Sequence, residues 1–227
     1  MYQPYQSIVT EVDDSVGIVT LNKEERHNAF DQQLIDELTH ALFSLDADPA
    51  VRVIVLSAAG KSFCAGADLN WMKRAANNGL DDNLNDARAL AGMLRTLAEM
   101  KKPTIARVQG AALGGGMGLA SACDIAVAST KAVFATSEVK FGIIPSAISP
   151  YVLRAIGARQ ATRYFQSAER IDAVRAREIG LVHETVEPEA LDAKVQEIVF
   201  SRIARLVQFV SNLFPDGVEA DGGVLCF

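Results

Sequence analysis

Apolar and polar positions change period several times along the chain. Residues 7–12 and 16–21 alternate or run apolar on either side of Asp13-Asp14-Ser15, the pattern of a hairpin. Residues 31–46 put Leu34, Ile35, Leu38, Leu42 and Leu45 on one face of a helix. The β-branched run 52–57 reads as a buried strand. Residues 83–100 return to a helical period through Leu84, Ala87, Leu90, Ala91, Leu94 and Leu97. Pro103 closes that helix, and 104–108 reads as the next strand. Two short strands, 125–128 and 132–135, flank a turn at Thr130-Lys131. From Ser149 onward the pattern is almost wholly helical, over 150–156, 159–167, 173–179 and 189–213, with one strand at 181–186. The polar stretch 77–82 predicts a mobile loop. Strands alternating with helices predict an α/β architecture with buried strands.

Composition narrows the class. Of 227 residues, 49% are apolar, enough for one large core plus a short appendage. The net charge of −6 argues against a nucleic-acid surface, which needs a basic stripe. The first cationic residue is Lys23, so no positively charged segment precedes an apolar run and a cytoplasmic protein is expected. The longest apolar stretch, 104–128, is interrupted by Arg107, Gln109 and Asp124 and crowded with glycine, which reads as core and not as a membrane span. Cys64, Cys123 and Cys226 are widely spaced and odd in number, forming neither a metal motif nor a disulfide framework. Cys64 and Cys123 read as small buried hydrophobes.

The chemistry concentrates around Gly114-Gly115-Gly116 and, downstream, Ser137-Glu138. Three glycines expose backbone N–H groups, and the following residues read as polar helix-forming sequence, so those N–H groups would lie at a helix N-terminus where negative charge is stabilised. Close helix–sheet packing is the other explanation of the triplet. Glu138 is the nearest downstream carboxylate that could handle a proton beside such a site. Flanked by an apolar strand and Phe141-Gly142-Ile143-Ile144-Pro145, it is expected to be partly buried with a raised pKa. The alternative is a surface carboxylate paired with Lys140 or Arg154. Ala65-Gly66-Ala67-Asp68 reads as a turn and helix start capped by Asp68. His40 is expected in solvent and His183 in a structural hydrogen bond. Trp71 and Met72 suit either an acyl pocket or the core.

Taken in order, Leu21-Asn22 with Asn28-Ala29, Ser62-Phe63-Cys64-Ala65-Gly66-Ala67-Asp68-Leu69, residues 110–128, and Ser137-Glu138 with Gly142-Ile143-Ile144-Pro145 resemble the crotonase (enoyl-CoA hydratase/isomerase) superfamily. The resemblance implies a spiral of ββα units over 1–190, with acyl-CoA thioesters as substrates and neither metal nor redox cofactor. It implies an oxyanion hole from the N–H groups of Ala67 and Gly115, beside the catalytic Glu138. It implies coenzyme A contacts at Arg26, His27, Ala29, Ala65, Asp68 and Leu69. Two-carboxylate hydratases of the superfamily carry a glutamate where this chain has Gly118. Hydration, double-bond isomerisation by Glu138 alone, and an impaired CoA-binding subunit all remain open on that motif. Residues 144–157, with Ser149-Pro150-Tyr151 where many relatives carry glycines, look most like 3-methylglutaconyl-CoA-type hydratases. A carboxylated acyl group would want a cation, for which Arg154, Lys73 and Arg74 are candidates. The helical segment 191–227 is short and atypical for the superfamily. The superfamily implies a homotrimer or hexamer, and the apolar run 198–213 predicts self-association.

Overall fold

The computed structural model describes residues 5–200. The chain opens with a hairpin in which β1 (Ile8–Asp13) pairs antiparallel with β2 (Val16–Leu21). Asp14 and Ser15 make its turn with φ of 45° and 73°, the left-handed pair that matches strand twist. Helix α1 (Gln32–Ala47) is capped by Asp31, whose carboxylate accepts from the Leu34 N–H at 3.0 Å. Leu34, Ile35, Leu38, Leu42 and Leu45 are all buried, as their spacing predicts.

Three similar steps follow. In each, a strand of one sheet is followed by a short strand of a second sheet and then by helix. The first step is β3 (Val53–Ala58), β4 (Ser62–Cys64), then α2 (Leu69–Ala75) and α3 (Leu80–Ala98). The second is β5 (Thr104–Val108), β6 (Ala111–Leu113) and α4 (Gly115–Ala122). The third is β7 (Ile125–Ser129), β8 (Val133–Ala135) and α5 (Ser149–Ser167). The chain then runs through β9 (Ile171–Asp172), α6 (Ala173–Glu178), β10 (Glu184–Val186) and α7 (Leu191–Ile198). The larger sheet has the order β1-β2-β3-β5-β7-β10, the smaller β4-β6-β8-β9. Within them β3, β5 and β7 are parallel neighbours, and so are β4, β6 and β8. This is the ββα spiral that the motifs imply.

The spiral explains why β3 is buried at every position. One face of the large sheet packs into the main core with α1 and α3. The other carries a second cluster in which Leu191, Val195 and Val199 lie against Val16, Val53, Val55, Ile105 and Val127.

Several expectations need correction. The two short strands flanking Thr130-Lys131 are β7 and β8, and they lie in different sheets, so the turn carries the chain from one sheet to the other. The loop expected over 77–82 ends at Gly79, because Asp81 and Asp82 occupy the first turn of α3, where carboxylates favour a helix start. In α3 only Met93, Leu94 and Leu97 are buried, while Leu84, Ala87 and Ala91 face outward. The helices expected over 150–156 and 159–167 form one element kinked at Gly157, which has φ 72° and ψ 158°. The last strand starts at Glu184, with Leu181 and Val182 buried ahead of it. The helix expected over 189–213 starts at Leu191, and its part beyond Phe200 lies outside the described residues, as does Cys226. Cys64 and Cys123 are buried, and burial pushes the Cys64 thiol up to about 12. Among the described residues no helix is long and apolar enough to cross a membrane.

Candidate active site

The start of α4 is built on Gly114, whose φ of 51° and ψ of −118° turn the chain out of β6. Its N–H donates to the Ala135 carbonyl at 2.8 Å, and its carbonyl accepts from the Gly118 N–H at 3.1 Å. Gly115 is therefore the first helical residue, and its N–H has no acceptor within its own helix. The triplet also serves packing. A Cβ on Gly115 would sit 2.3 Å from Phe30 Cε2, and one on Gly116 would sit 2.2 Å from the Cys64 carbonyl oxygen. Close packing thus accounts for Gly115 and Gly116, while of the N–H groups that of Gly114 is taken by Ala135 and that of Gly115 is left without a helical acceptor. The helix that follows is not polar, however: every residue from Gly116 to Ala122 is buried.

Ala67 follows Gly66, which packs against the residues that lead into this helix. It forms a parallel bridge with Phe30. The Phe30 N–H donates to the Gly66 carbonyl at 2.7 Å, and the Asp68 N–H donates to the Phe30 carbonyl at 2.8 Å. In a parallel bridge of this kind the central residue's own N–H points away from its partner strand. Gly66, with φ of 90°, lies against Leu113 and Gly114: its Cβ position is 3.0 Å from the Leu113 oxygen and 3.8 Å from Gly114 Cα. Asp68 is buried. It caps α2 by accepting from the N–H groups of Asn70 at 2.8 Å and Trp71 at 3.0 Å, and it pairs with Arg26 Nη1 at 3.0 Å.

Glu138 completes the site. It opens a 3-10 turn, Glu138–Phe141, whose end is tied back by N–H bonds from Gly142 and Ile143 to the Glu138 carbonyl. Its Oε1 lies 3.2 Å from the Cβ position of Gly114, beside the start of α4. Its Oε2 is buried without a hydrogen-bond partner. Burial raises its pKa above the ordinary carboxylate value, and its own backbone N–H offsets only part of that. Among the described residues Glu138 forms no ion pair with Lys140 or Arg154. Arg154 instead donates to the Ser121 and Ala122 carbonyls at 3.4 and 3.3 Å, at the C-terminus of α4. Position 118 is closed to a second carboxylate: a Cβ there would sit 2.3 Å from Ile148 Cγ2.

The residues expected to meet coenzyme A lie along the loop before α1 and the segment after β4. Arg26 and His27 are exposed, and the His27 ring Nδ1 is 3.1 Å from Ser62 Oγ. The Ala65 N–H donates to the His27 carbonyl at 2.9 Å, and Leu69 is exposed on the first turn of α2. Ala29 and Asp68 are turned inward, so they shape the loop. Asn28 holds that loop to β4. It is fully buried with φ of 55°; its Nδ2 donates to the Ala59 and Ser62 carbonyls at 2.9 Å each, and its Oδ1 accepts from the Lys23 N–H at 2.8 Å. Lys73 and Arg74 are exposed in the last turn of α2, and Trp71 packs on the core. His40 is exposed and bonds the Tyr5 hydroxyl, and His183 accepts from the Ala126 N–H at 3.1 Å. Ile148 has no sequence signal that separates it from an ordinary core residue; only the fold brings it onto Gly118. Among the described residues no group of side chains is suited to hold a metal ion.

Comparison with known proteins shows the family. The family model for enoyl-CoA hydratase/isomerase matches residues 11–214. The chain belongs to this family, within the crotonase superfamily, and is an enzyme of the hydratase/isomerase type. It is 31% identical to the crotonyl-CoA hydratase of Syntrophomonas wolfei over 98% of this chain and 90% of that protein. It is 34% identical to the hydroxycinnamoyl-CoA hydratase-lyase of Pseudomonas fluorescens, over 80% of this chain and 67% of that protein. The crystal structure of an enoyl-CoA hydratase from Shewanella pealeana superposes with a TM-score of 0.85 at 39% identity, covering 92% of this chain and 81% of that one.

Proposed function

We propose that this protein is an acyl-CoA hydratase that adds water across the double bond of an α,β-unsaturated thioester with Glu138 as its one acid–base group. The observation that carries this is the half-buried Glu138 carboxylate, whose Oε2 has no hydrogen-bond partner, beside the free N-terminus of α4 and the bridge that turns out the Ala67 N–H. With the thioester oxygen between the N–H groups of Ala67 and Gly115, charge that develops there is stabilised more in the transition state than in the ground state. One such donor contributes about 3 kcal/mol. Glu138 removes a proton from water as the oxygen bonds to C3, and the π electrons pass to the thioester oxygen. The same carboxyl then delivers its proton to C2 and the carbonyl re-forms, so one water is gained overall. Arg26 and His27 meet the phosphates and adenine of coenzyme A, with Ala65 and Leu69 alongside. Coenzyme A arrives as part of the substrate, and the reaction takes no metal or redox cofactor. The same reading has the enzyme working in the cytoplasm as a homotrimer or hexamer.

The acyl group is not set by family membership, since the two relatives are named for crotonyl and hydroxycinnamoyl thioesters. We favour a branched acyl group with a distal carboxylate, of the 3-methylglutaconyl type, on the resemblance of residues 144–157. Lys73 and Arg74 are the candidate cations, since Arg154 is engaged at the end of α4. A second reading, enoyl-CoA isomerisation, is favoured by the closure of position 118, because a single carboxylate suffices to move a proton between two carbons. Incubation with crotonyl-CoA and 3-methylglutaconyl-CoA, followed by mass analysis, tests both. A product heavier by one water supports hydration; an unchanged mass with a shifted double bond supports isomerisation.

A further inference from the structure

Phe30 touches both proposed oxyanion donors at once. Its backbone brackets Ala67 through bonds to Gly66 at 2.7 Å and from Asp68 at 2.8 Å. Its ring lies under Gly115, with Cε2 and Cδ2 at 2.3 and 2.7 Å from the Cβ position there. The side chain is 1% exposed, so it has no room to swing away. Its neighbours hold it in turn. Asp31 caps α1 and pairs with Lys23, and Asn28 ties the loop to β4.

We propose that Phe30 is a positioning residue: its ring and its backbone together set the spacing between the Ala67 and Gly115 N–H groups. The proposal rests on the reading of those two groups as the oxyanion donors. Aromatic rings are rigid spacers, and a pair of donors stabilises charge only when both reach the same oxygen. A shift of about 1 Å in such an arrangement can cost about 100-fold in rate. A shorter side chain lets the first turn of α4 settle toward the bridge, which changes the spacing while leaving both N–H groups in place. Coenzyme A is expected to bind as before, because Arg26, His27 and Leu69 are untouched.

The test uses crotonyl-CoA labelled with carbon-13 at the thioester carbonyl. It is bound to the Glu138→Gln protein, so that the substrate persists, and the carbonyl stretch is read by infrared difference spectroscopy. The bound band should lie below that of free crotonyl-CoA, and adding Phe30→Leu should reduce the downshift while affinity changes less than about threefold, because the coenzyme A contacts remain. In protein that retains Glu138, Phe30→Leu should lower kcat about 10-fold with little change in KM. A size exchange gives an independent reading. Gly115→Ala should lose about 100-fold in kcat by pressing on the ring, and Phe30→Leu combined with it should recover part of that loss. Phe30→Leu is chosen over Phe30→Ala so that the core keeps most of its volume. A downshift equal in both proteins, with only the melting temperature lowered, would mean that Phe30 merely fills the core, and the proposal would be wrong while the donor reading stands. No downshift even with Phe30 present would overturn the donor reading and the proposal with it.

Discussion

Glu138 carries a burial-raised pKa, and the sign of its effect on stability follows. The folded protein holds this proton more tightly than the unfolded chain, so the contribution of Glu138 is fully present below the ordinary glutamate value. It is lost as pH rises through the folded pKa. Glu138→Gln should therefore be more stable than wild type at neutral pH, with the gap closing in acid. Urea midpoints measured across that range will show it. The same substitution should lower kcat by about 100- to 10,000-fold, as for loss of a general acid–base group. At position 118 the expectation is set by Ile148. Gly118→Glu alone should cost about 1–3 kcal/mol or more from overpacking, and Ile148→Ala should relieve part of it, as read from denaturant unfolding.

At the scale of elements, α4 is held at both ends. Its N-terminus rests on Phe30 and Cys64, and its C-terminal carbonyls meet Arg154. Arg154→Ala should cost about 0.5–1 kcal/mol, the worth of a cation at a helix C-terminus, and leave the KM for crotonyl-CoA unchanged. Elements of this size were legible in the sequence when a period had room to repeat. The five apolar residues of α1 and the hairpin of β1 and β2 are cases of this. The strands β4 and β6 span three residues each, too few for any alternation to register, so the second sheet was not visible as such. The stripe in α3 misled in its first half because periodicity marks a face without saying what covers it. Leu84 is 41% exposed there, while Leu94, nearer the end of the helix, is fully buried. For the site, Gly114, Gly115, Gly116 and Glu138 stood out through composition and motif. Ile148 and Phe30 did not, because their roles depend on contacts that only the folded chain creates.

At the scale of the whole molecule, the spiral brings together segments that are far apart in sequence. The loop before α1, the end of β4, the start of α4 and the turn after β8 meet in one place because β4, β6 and β8 lie side by side. Arg26 and His27 are exposed on that loop, and the proposed function assigns them to coenzyme A despite the acidic balance of the chain. Arg26→Ala should raise the KM for acyl-CoA thioesters several-fold, on the order of 1 kcal/mol for a charge-assisted contact, with kcat unchanged. Stability should fall by about 1 kcal/mol or less, because Arg26 is half-exposed and the buried Asp68 keeps the N–H groups of Asn70 and Trp71 as partners.

The most direct measurement follows the enoyl absorbance of crotonyl-CoA and 3-methylglutaconyl-CoA, with product mass, for wild type and Glu138→Gln. Loss of absorbance with gain of one water in the wild type, and its near abolition in the variant, is the predicted result. Hydration at the wild-type rate by Glu138→Gln would contradict a single-glutamate mechanism at the start of α4.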